Sequence, residues 1–336
     1  MEIKHFVGID VSKSTLDCAL AEHGKVIFHM RVENSAIGIG SFIKAVKNQF
    51  KFDFKKSMFC MEHNGIYNNL LLEYLMKVEA NTWVESALQI KQSQGFSRGK
   101  NDKADSGRIA LYAYKNKENF KSWQPPRQQV TQIKQLMVVR NRIVESIKKL
   151  NTPIGKDAEI FMPKEQLKSL QKCCAASLKA MKKDLKMLEQ QIKELVRADE
   201  KLSRLFKIVM SVDGVGLITA ATIIVTTNEF INFSNAKKFA CYAGVVPFEY
   251  SSGSSVRGKP RVSHIANKAV KKVLHLAALT GMRKKGEFRE YYERKISEGK
   301  HKMSVINAIR NKLVLRIFAC VRENRLFEKK YSYLLA

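Results

Sequence analysis

The chain has 336 residues, carries 60 Lys+Arg against 31 Asp+Glu for a formal net charge of +29, and is 45% hydrophobic. That length suits two domains, or two and a connector, with ample material for cores, so a folded basic protein is expected and a small stapled scaffold is excluded. The cationic excess points to a polyanion, most simply nucleic acid; an anionic membrane surface is the alternative, but no apolar run approaches a spanning helix. The N-terminus Met1-Glu2-Ile3-Lys4-His5 lacks a signal-peptide core, so a cytoplasmic protein is expected. The six cysteines show no C-x-x-C spacing and the seven histidines no H-x-x-x-H pair, which argues against a zinc site or a disulfide frame.

Residues Phe6 to Leu20 read as a strand, a tight polar turn and a second strand, with Val7 and Ile9 on one face and Asp10 on the other. Val26 to Val32 continues the β pattern. An antiparallel three-strand opening with an acid in its first strand is a recurring start for ribonuclease H-like folds, although Asp10 fits equally well as a turn-proximal acid. Ile37 to Phe50 has helical spacing, and Ser57 to Glu62 is an apolar strand that ends in an acid. His63-Asn64-Gly65 then turns the chain into a helix from Ile66 to Lys77. A carboxylate at the C-terminal end of a strand, before a helix, lies where open α/β sheets place their ligands. His63 fits a turn residue better than a metal ligand. Asn81 to Glu85 reads as a further strand.

The stretch Arg98 to Arg108 sets Asp102 and Asp105 at i and i+3 at the start of an apolar helical run, where they share one face. Two readings stand here: convergence on a common target, or N-terminal capping of a basic helix. The order β-β-β-α-β-α-β-α gives an α/β domain over residues 1–124 with one mixed sheet. Asp10, Glu62, Asp102 and Asp105 together form a constellation more specific than any one acid. Clustered carboxylates repel unless cations neutralise them, and hard oxygen donors favour Mg²⁺ or Mn²⁺. Two such ions about 3.5–4 Å apart clamp the attacking and leaving oxygens of a phosphodiester. Arg98, Lys100, Lys103 and Arg108 around the acids would attract phosphates.

Gln124-Pro125-Pro126 closes this domain, and residues 125–205 read as a helical connector. Gln128 to Leu150 is one helix; after breaks at Asn151–Gly155 and Met162-Pro163, a second runs from Glu165 to about Leu205. Its apolar residues Leu167, Leu170, Cys174, Leu178, Met181, Leu185, Leu188, Ile192 and Leu195 step by three and four, which is heptad spacing with a stutter. A two-helix hairpin or coiled coil follows, with contact between two copies favoured. Residues 206–336 form a mainly helical C-terminal domain. In it, Gly214-Val215-Gly216 between two short helices resembles a helix-hairpin-helix element, whose glycines let backbone N–H groups approach a phosphate, or else marks a buried helix start. Phe233 to Ala243 is helical, Phe248 to Arg261 reads as a loop rich in Ser, Gly and cations, and Ile265–Ala278 and Met303–Arg322 are basic helices.

These residues resemble the DEDD-type transposases of the insertion sequence 110 group, which includes the pilin-inverting site-specific recombinases. GIDVSK with Asp10, strand-ending Glu62 and KNDKADSGRIA with Asp102 and Asp105 look like that family's acidic quartet in a ribonuclease H-like, Holliday-resolvase-like domain. SVDGVGLITAATII, FACYAGVVPFEYSSG and Arg261 to Lys271 look like its C-terminal transposase domain, and the match covers nearly the whole chain. The resemblance implies a catalytic and metal-binding quartet, Ser252 as nucleophile with Ser251 as the register alternative, and nucleic-acid contacts from Lys100, Lys103, Arg108, Gly214, Gly216, Arg257, Lys259, Arg261, Asn267 and Lys271. The family's usual Gly-Asn pair reads Ala266-Asn267 here, and its following Arg reads Lys271, which holds a phosphate as a point charge without the bidentate fork. Also implied are donor and target DNA, a structured non-coding guide RNA encoded by the element, Mg²⁺ or Mn²⁺, a homo-oligomer (dimer or tetramer) with composite sites, and a prokaryotic, nucleoid-associated location. Two other functions stand beside this one: a metal-dependent Holliday-junction nuclease in which Ser252 is only loop, and a basic nucleic-acid-binding scaffold without chemistry.

Overall fold

Alternating apolar residues build the first sheet. The structure is a computed structural model that describes residues 2–93, 102–252, 256–283 and 285–328, with the side chains of 156, 157, 252, 256, 257 and 259 left out. It divides into two compact units, Met1–Pro125 and Pro126–Ala336. In the first unit, β1 (His5–Val11), β2 (Thr15–Glu22) and β3 (Lys25–Glu33) form an antiparallel meander. It is followed by α1 (Ala36–Gln49), β4 (Ser57–Glu62), α2 (Asn69–Lys77), β5 (Asn81–Glu85), α3 (Ala87–Ser93) and α4 (Asp102–Lys115). β4 and β5 run parallel to β1, giving one mixed sheet in the order β3-β2-β1-β4-β5. This is the element order expected from the sequence, with α3 added before α4.

Because successive strand residues face opposite ways, each face carries its own core. Val7, Ile9, Val11, Leu16, Cys18 and Leu20 pack under α1 and α2 through Phe42, Val46, Leu71 and Leu75. Phe6, Ala19, Ala21, Met58, Cys60 and Trp83 pack under α4 through Ile109, Ala110 and Tyr112. The second face is lined with small residues, and α4 comes very close to it. A Cβ on Gly8 would stand 2.1 Å from the backbone N of Ala110 and 2.3 Å from the carbonyl O of Ser106. Only glycine fits β1 at that crossing.

In the second unit, α5 (Gln128–Asn151) and α6 (Lys164–Arg197) pack against each other. α6 stops short of Leu205. Asp199 accepts a hydrogen bond from the N–H of Leu202 and so caps a separate helix, α7 (Glu200–Met210), which ends the continuous helix that the apolar spacing suggested. The apolar row of α6 is unevenly covered: Leu167, Leu178 and Ile192 are buried, whereas Leu170 is 43% exposed. The chain continues through α8 (Leu217–Thr227), α9 (Ala236–Tyr242), β6 (Pro247–Ser252), β7 (Val256–Val262), α10 (Lys268–Arg283), α11 (Glu287–Ser297) and α12 (Lys302–Arg322). Ile309, Leu313, Val314 and Ile317 of α12 are buried in one core with Val130 and Ile133 of α5 and Ile192 and Val196 of α6. The helices read as a connector and the last third of the chain therefore share a single interior.

The segment from Phe248 to Arg261, expected as a loop, is an antiparallel two-stranded hairpin of β6 and β7 in which Ser252 opposes Val256. Its Ser, Gly and cation content hid an alternating pattern, Phe248 and Tyr250 then Val256, that suffices for pairing. Among the described residues no helix is long and apolar enough to cross a membrane.

An ion-pair clamp ties three elements of the second unit. Arg127, at the start of α5, donates to Asp199 (2.5 Å) and, through a second pair of bonds, to Glu229 (2.7 and 2.8 Å), whose side chain is 3% exposed. Hydrogen bonds from Arg127 hold the Asp199 carboxyl below its usual range. Removing the arginine leaves a buried negative charge, which typically costs about 3 kcal/mol.

Two outcomes are expected. Arg127→Met should lower stability by about 3 kcal/mol near neutral pH. Since Asp199 has a depressed pKa in the folded state, its share of that stability is complete above about pH 4 and is lost as the pH falls through the folded value. The deficit of the variant, read by circular dichroism in urea, should therefore shrink in acid. Gly8→Ala should destabilise the first unit by at least about 3 kcal/mol, since its methyl meets backbone and not a movable side chain. Both tryptophans of the chain, Trp83 and Trp123, lie in that unit, so their fluorescence reads its unfolding directly.

Candidate active site

Three parallel strands deliver an acid apiece to the same edge of the first sheet. Register pairs Ile9 of β1 with Met61 of β4, so Asp10 and Glu62 come next on adjacent strands, and Glu62 pairs with Glu85 of β5. Since Ile9 faces α1 and α2, these acids face α4. Across the antiparallel seam, Asp10 opposes Asp17 of β2, and Asp17 opposes Arg31 of β3. The Asp17 side chain is only 6% exposed; His29 Nε2 lies 3.3 Å from its Oδ1 and Arg31 Nε 3.3 Å from its Oδ2. Arg31 reaches on with Nη2 to Asp102 Oδ2 at 3.0 Å. It thus links the sheet to the first turn of α4.

The loops beyond the strand ends are fixed by side chains. After β1, Ser12 and Thr15 close the turn with bonds of 2.9–3.0 Å. After β4, the buried Asn68 accepts from the N–H of Asn64 (2.6 Å) and donates to the carbonyl of Glu62 (2.9 Å), while Asn64 donates to the carbonyl of Val11. These bonds tie the Glu62 turn to the end of β1. His63 belongs to this turn: its Nδ1 accepts from the N–H of Gly65, which has φ +66°.

On α4, Asp102 and Asp105 both occupy the first turn. Asp105 Oδ1 accepts from Arg108 Nη1 at 2.7 Å, with both side chains about a quarter exposed. Beneath them the buried Tyr112 phenol lies 3.4 Å from Glu85 Oε2, and burial, with that carboxylate beside it, pushes its pKa up to about 12. It is a neutral hydrogen-bond donor at any physiological pH. Six acids, Asp10, Asp17, Glu62, Glu85, Asp102 and Asp105, thus belong to one edge and the helix start above it. Their all-oxygen chemistry fits a hard divalent cation. Among the described residues, however, no three His, Cys, Asp or Glu side chains stand close enough to hold one. Arg31 and Arg108 supply counter-charge to the two aspartates of α4.

The expected nucleic-acid contacts fall into several environments. Lys100 lies outside the described residues. Lys103 is exposed, and Arg108 is engaged by Asp105. Gly214 (φ +87°) is a packing residue: a Cβ there would stand 2.3 Å from the carbonyl O of Ala277 on α10. Gly216, at the start of α8, has open space beside it. Arg261 is exposed on β7; the side chains of Ser252, Arg257 and Lys259 lie outside the description, whereas Ser251 is exposed. Asn267 caps α10, its Oδ1 accepting from the N–H of Val270 (3.0 Å) and its Nδ2 donating to Tyr242 Oη (2.7 Å). Gly244 (φ +64°) approaches Ala266 so closely that a Cβ would meet that methyl at 2.3 Å, and so it makes room for the alanine. Lys271 is half-buried; burial first, then Arg310, pulls its pKa down.

Asp17, Arg31, Glu85 and Asn68 were not singled out from the sequence. Counting outward from the Ser12–Thr15 turn would have placed Asp17 opposite Asp10, and the strand-end rule that picked Glu62 applies equally to Glu85. Nothing in the spacing marks Arg31 or Asn68.

Comparison with known proteins covers both units. A transposase family model matches residues 7–156, and a model of the transposase IS116/IS110/IS902 family matches residues 206–293. The pilin gene-inverting protein of Moraxella lacunata is 24% identical over 97% of this chain and 98% of its own length. The transposase for insertion sequence element IS1111A of Coxiella burnetii is 23% identical over 81% of this chain and 82% of its own. A solved structure of T. thermophilus RuvC in complex with a Holliday junction substrate matches 34% of this chain and 96% of its own at 13% identity and a TM-score of 0.27, a likeness too slight to argue from. With both halves matched and relatives aligned nearly end to end, the chain belongs to the IS116/IS110/IS902 family of transposases and is an enzyme of that family.

Proposed function

We propose that this chain is the transposase of an insertion sequence, cutting and rejoining DNA through a phosphoserine link made by Ser252, with metal-binding carboxylates in a ribonuclease H-like first unit. The observation that carries this reading is the placement of Asp10 and Glu62 at adjacent strand ends with Asp102 and Asp105 on the first turn of the helix above them. Those four residues would hold Mg²⁺ or Mn²⁺, which when bound neutralises a phosphodiester and favours its in-line displacement. Arg31 and Arg108 act as stand-in counter-charges, releasing Asp102 and Asp105 when a divalent cation competes for them. Asn68 and the Ser12–Thr15 turn hold the two strand ends in place.

Ser252 Oγ forms a bond to phosphorus as the bond to the leaving strand oxygen breaks, and the serine proton ends on that oxygen as a free hydroxyl. One strand end is then esterified to the protein. The phosphoserine keeps the energy of the broken diester, so a hydroxyl of another strand displaces the serine and rejoins the DNA without ATP. Hydrolysis would discard that energy.

The charge of +29 supplies the nucleic-acid affinity, with Lys100, Lys103, Arg257, Lys259 and Arg261 as phosphate contacts and Gly216 as a point of backbone approach. An element-encoded structured RNA selects donor and target DNA by pairing, a role consistent with a charge larger than one short duplex contact needs. The protein works as a dimer or tetramer. The partly uncovered apolar row of α6, in which Leu170 is 43% exposed, supports contact between copies as a coiled coil.

Asp105→Asn and Glu62→Gln should each lower strand cleavage by roughly 100-fold or more, while retention of DNA in a gel-shift assay stays near wild type. Chelating divalent cations should do the same to the unaltered protein. Cleavage that persists in either variant, or in the chelator, would remove the acids from the chemistry.

A further inference from the structure

Away from the acidic edge, α10 and α12 bring three basic side chains together, with no acid acting on them among the described residues. Arg310 of α12 is 5% exposed. Its Nη2 lies 2.6 Å from His275 Nδ1 and its Nη1 3.4 Å from Asn307 Oδ1, while its Nε is buried with no hydrogen-bond partner. A guanidinium has no acceptor, so His275 Nδ1 accepts and the ring keeps its proton on Nε2. Asn307 in turn donates to the carbonyl of Val245 at 2.8 Å, which ties the cluster to the bend before β6. Lys271, one helical turn before His275, also reaches that bend: its Nζ would lie 3.6 Å from a Cβ on Gly244.

The electrostatics of the three are one-sided. Burial lowers the pKa of each, and among the described residues the charged neighbour that acts on Lys271 and His275 is Arg310, which lowers them further. A buried arginine normally comes with a carboxylate. Here the donors, a guanidinium, a histidine Nε2–H and an ammonium, are those that hold a phosphate. Lys271 and His275 are partly exposed, whereas Arg310 is buried behind them in sequence-distant α12.

We infer that Arg310, His275 and Lys271 form a binding site for one phosphodiester of the nucleic acid, at the base of the β6–β7 hairpin. The inference rests on the proposed function only in taking nucleic acid as the ligand. β6 runs from Pro247, beside the bend, to Ser252. At about 3.3 Å per residue that is about 17 Å, or roughly five nucleotides of B-form strand. The phosphate held here is therefore not the one joined to serine but a neighbour that fixes the register of the strand.

The test is a titration of the full-length protein, in EDTA, with a fluorescein-labelled 30-base-pair DNA and with a single-stranded RNA of the same length, over a series of salt concentrations. Lys271→Gln and His275→Gln are compared with Lys272→Gln, an exposed residue next to the site that removes the same charge as Lys271→Gln. Lys271→Gln should weaken binding about 3- to 10-fold and lower the log–log salt slope by about one. His275→Gln should weaken it with less change in slope, and Lys272→Gln should do little. Loss confined to the DNA or to the RNA identifies which strand supplies the phosphate, and either result supports the site. Unchanged binding in both site variants, or an equal loss in Lys272→Gln, overturns it. Arg310→Gln is scored by whether inorganic phosphate, at constant ionic strength, still raises Tm; wild type should be protected and the variant not, and equal protection counts against the site. These assays need neither metal nor serine chemistry, so the failure of either proposal is visible without the other.

Discussion

α4 crosses β1 so closely that position 8 has no room for a side chain, and the acidic edge depends on that contact. The face beneath the helix is kept low by Ala19 and Ala21, and the helix brings Ala110 to the crossing. The helix that crosses here starts with Asp102 and Asp105 in its first turn, tied by Arg31 to Asp17, the residue opposite Asp10. Two larger residues at the crossing would lift the helix and disperse the acids without altering one of them. Packing here sets where the acids stand.

Charge balance then decides how such an edge can fold. Six carboxylates near one another repel, and the chain answers with Arg31, shared between Asp17 and Asp102, and with Arg108 on Asp105. Both arginines place their charge on the carboxylates at the end of flexible stems. The second unit shows the opposite arrangement. Arg127 is locked between Asp199 and Glu229 and serves structure alone, whereas Arg310 is buried with a histidine and no acid. The arginine environments thus differ in kind: shared between acids, locked between two acids, or held by a histidine and an asparagine.

Much of the first unit was legible because its signals are local. Alternation in residues 6–20 and the apolar run ending at Glu62 fixed the strands, and the i, i+3 spacing put Asp102 and Asp105 on one helix turn. What escaped depends on partners distant in sequence. Arg31 matters because register sets it opposite Asp17, and Asn68 because its turn folds back on Glu62; neither has a local signature. In the second unit, apolar spacing ran on smoothly past residue 197, so one capping side chain, Asp199, was enough to break a helix that periodicity prolonged. The β6–β7 hairpin was hidden by its composition, since serine and glycine signal loops even where Phe248, Tyr250 and Val256 alternate. Gly-x-Gly beside a helix start marks backbone approach to a phosphate, and at Gly214 the same absence of a side chain also serves packing, with α10 at Ala277 in the space a Cβ would take.

A phosphoserine link between protein and DNA is detected as a protein–DNA adduct that survives SDS, using protein purified with its co-expressed element RNA, end-junction DNA and Mg²⁺. The expected adduct has a nucleotide-bearing peptide modified on Ser252, is present in Ser251→Ala and is absent from Ser252→Ala. Strands cut with no adduct, or an adduct that persists in Ser252→Ala, would contradict it: the first would make water the nucleophile, and the second would place the bond on another residue.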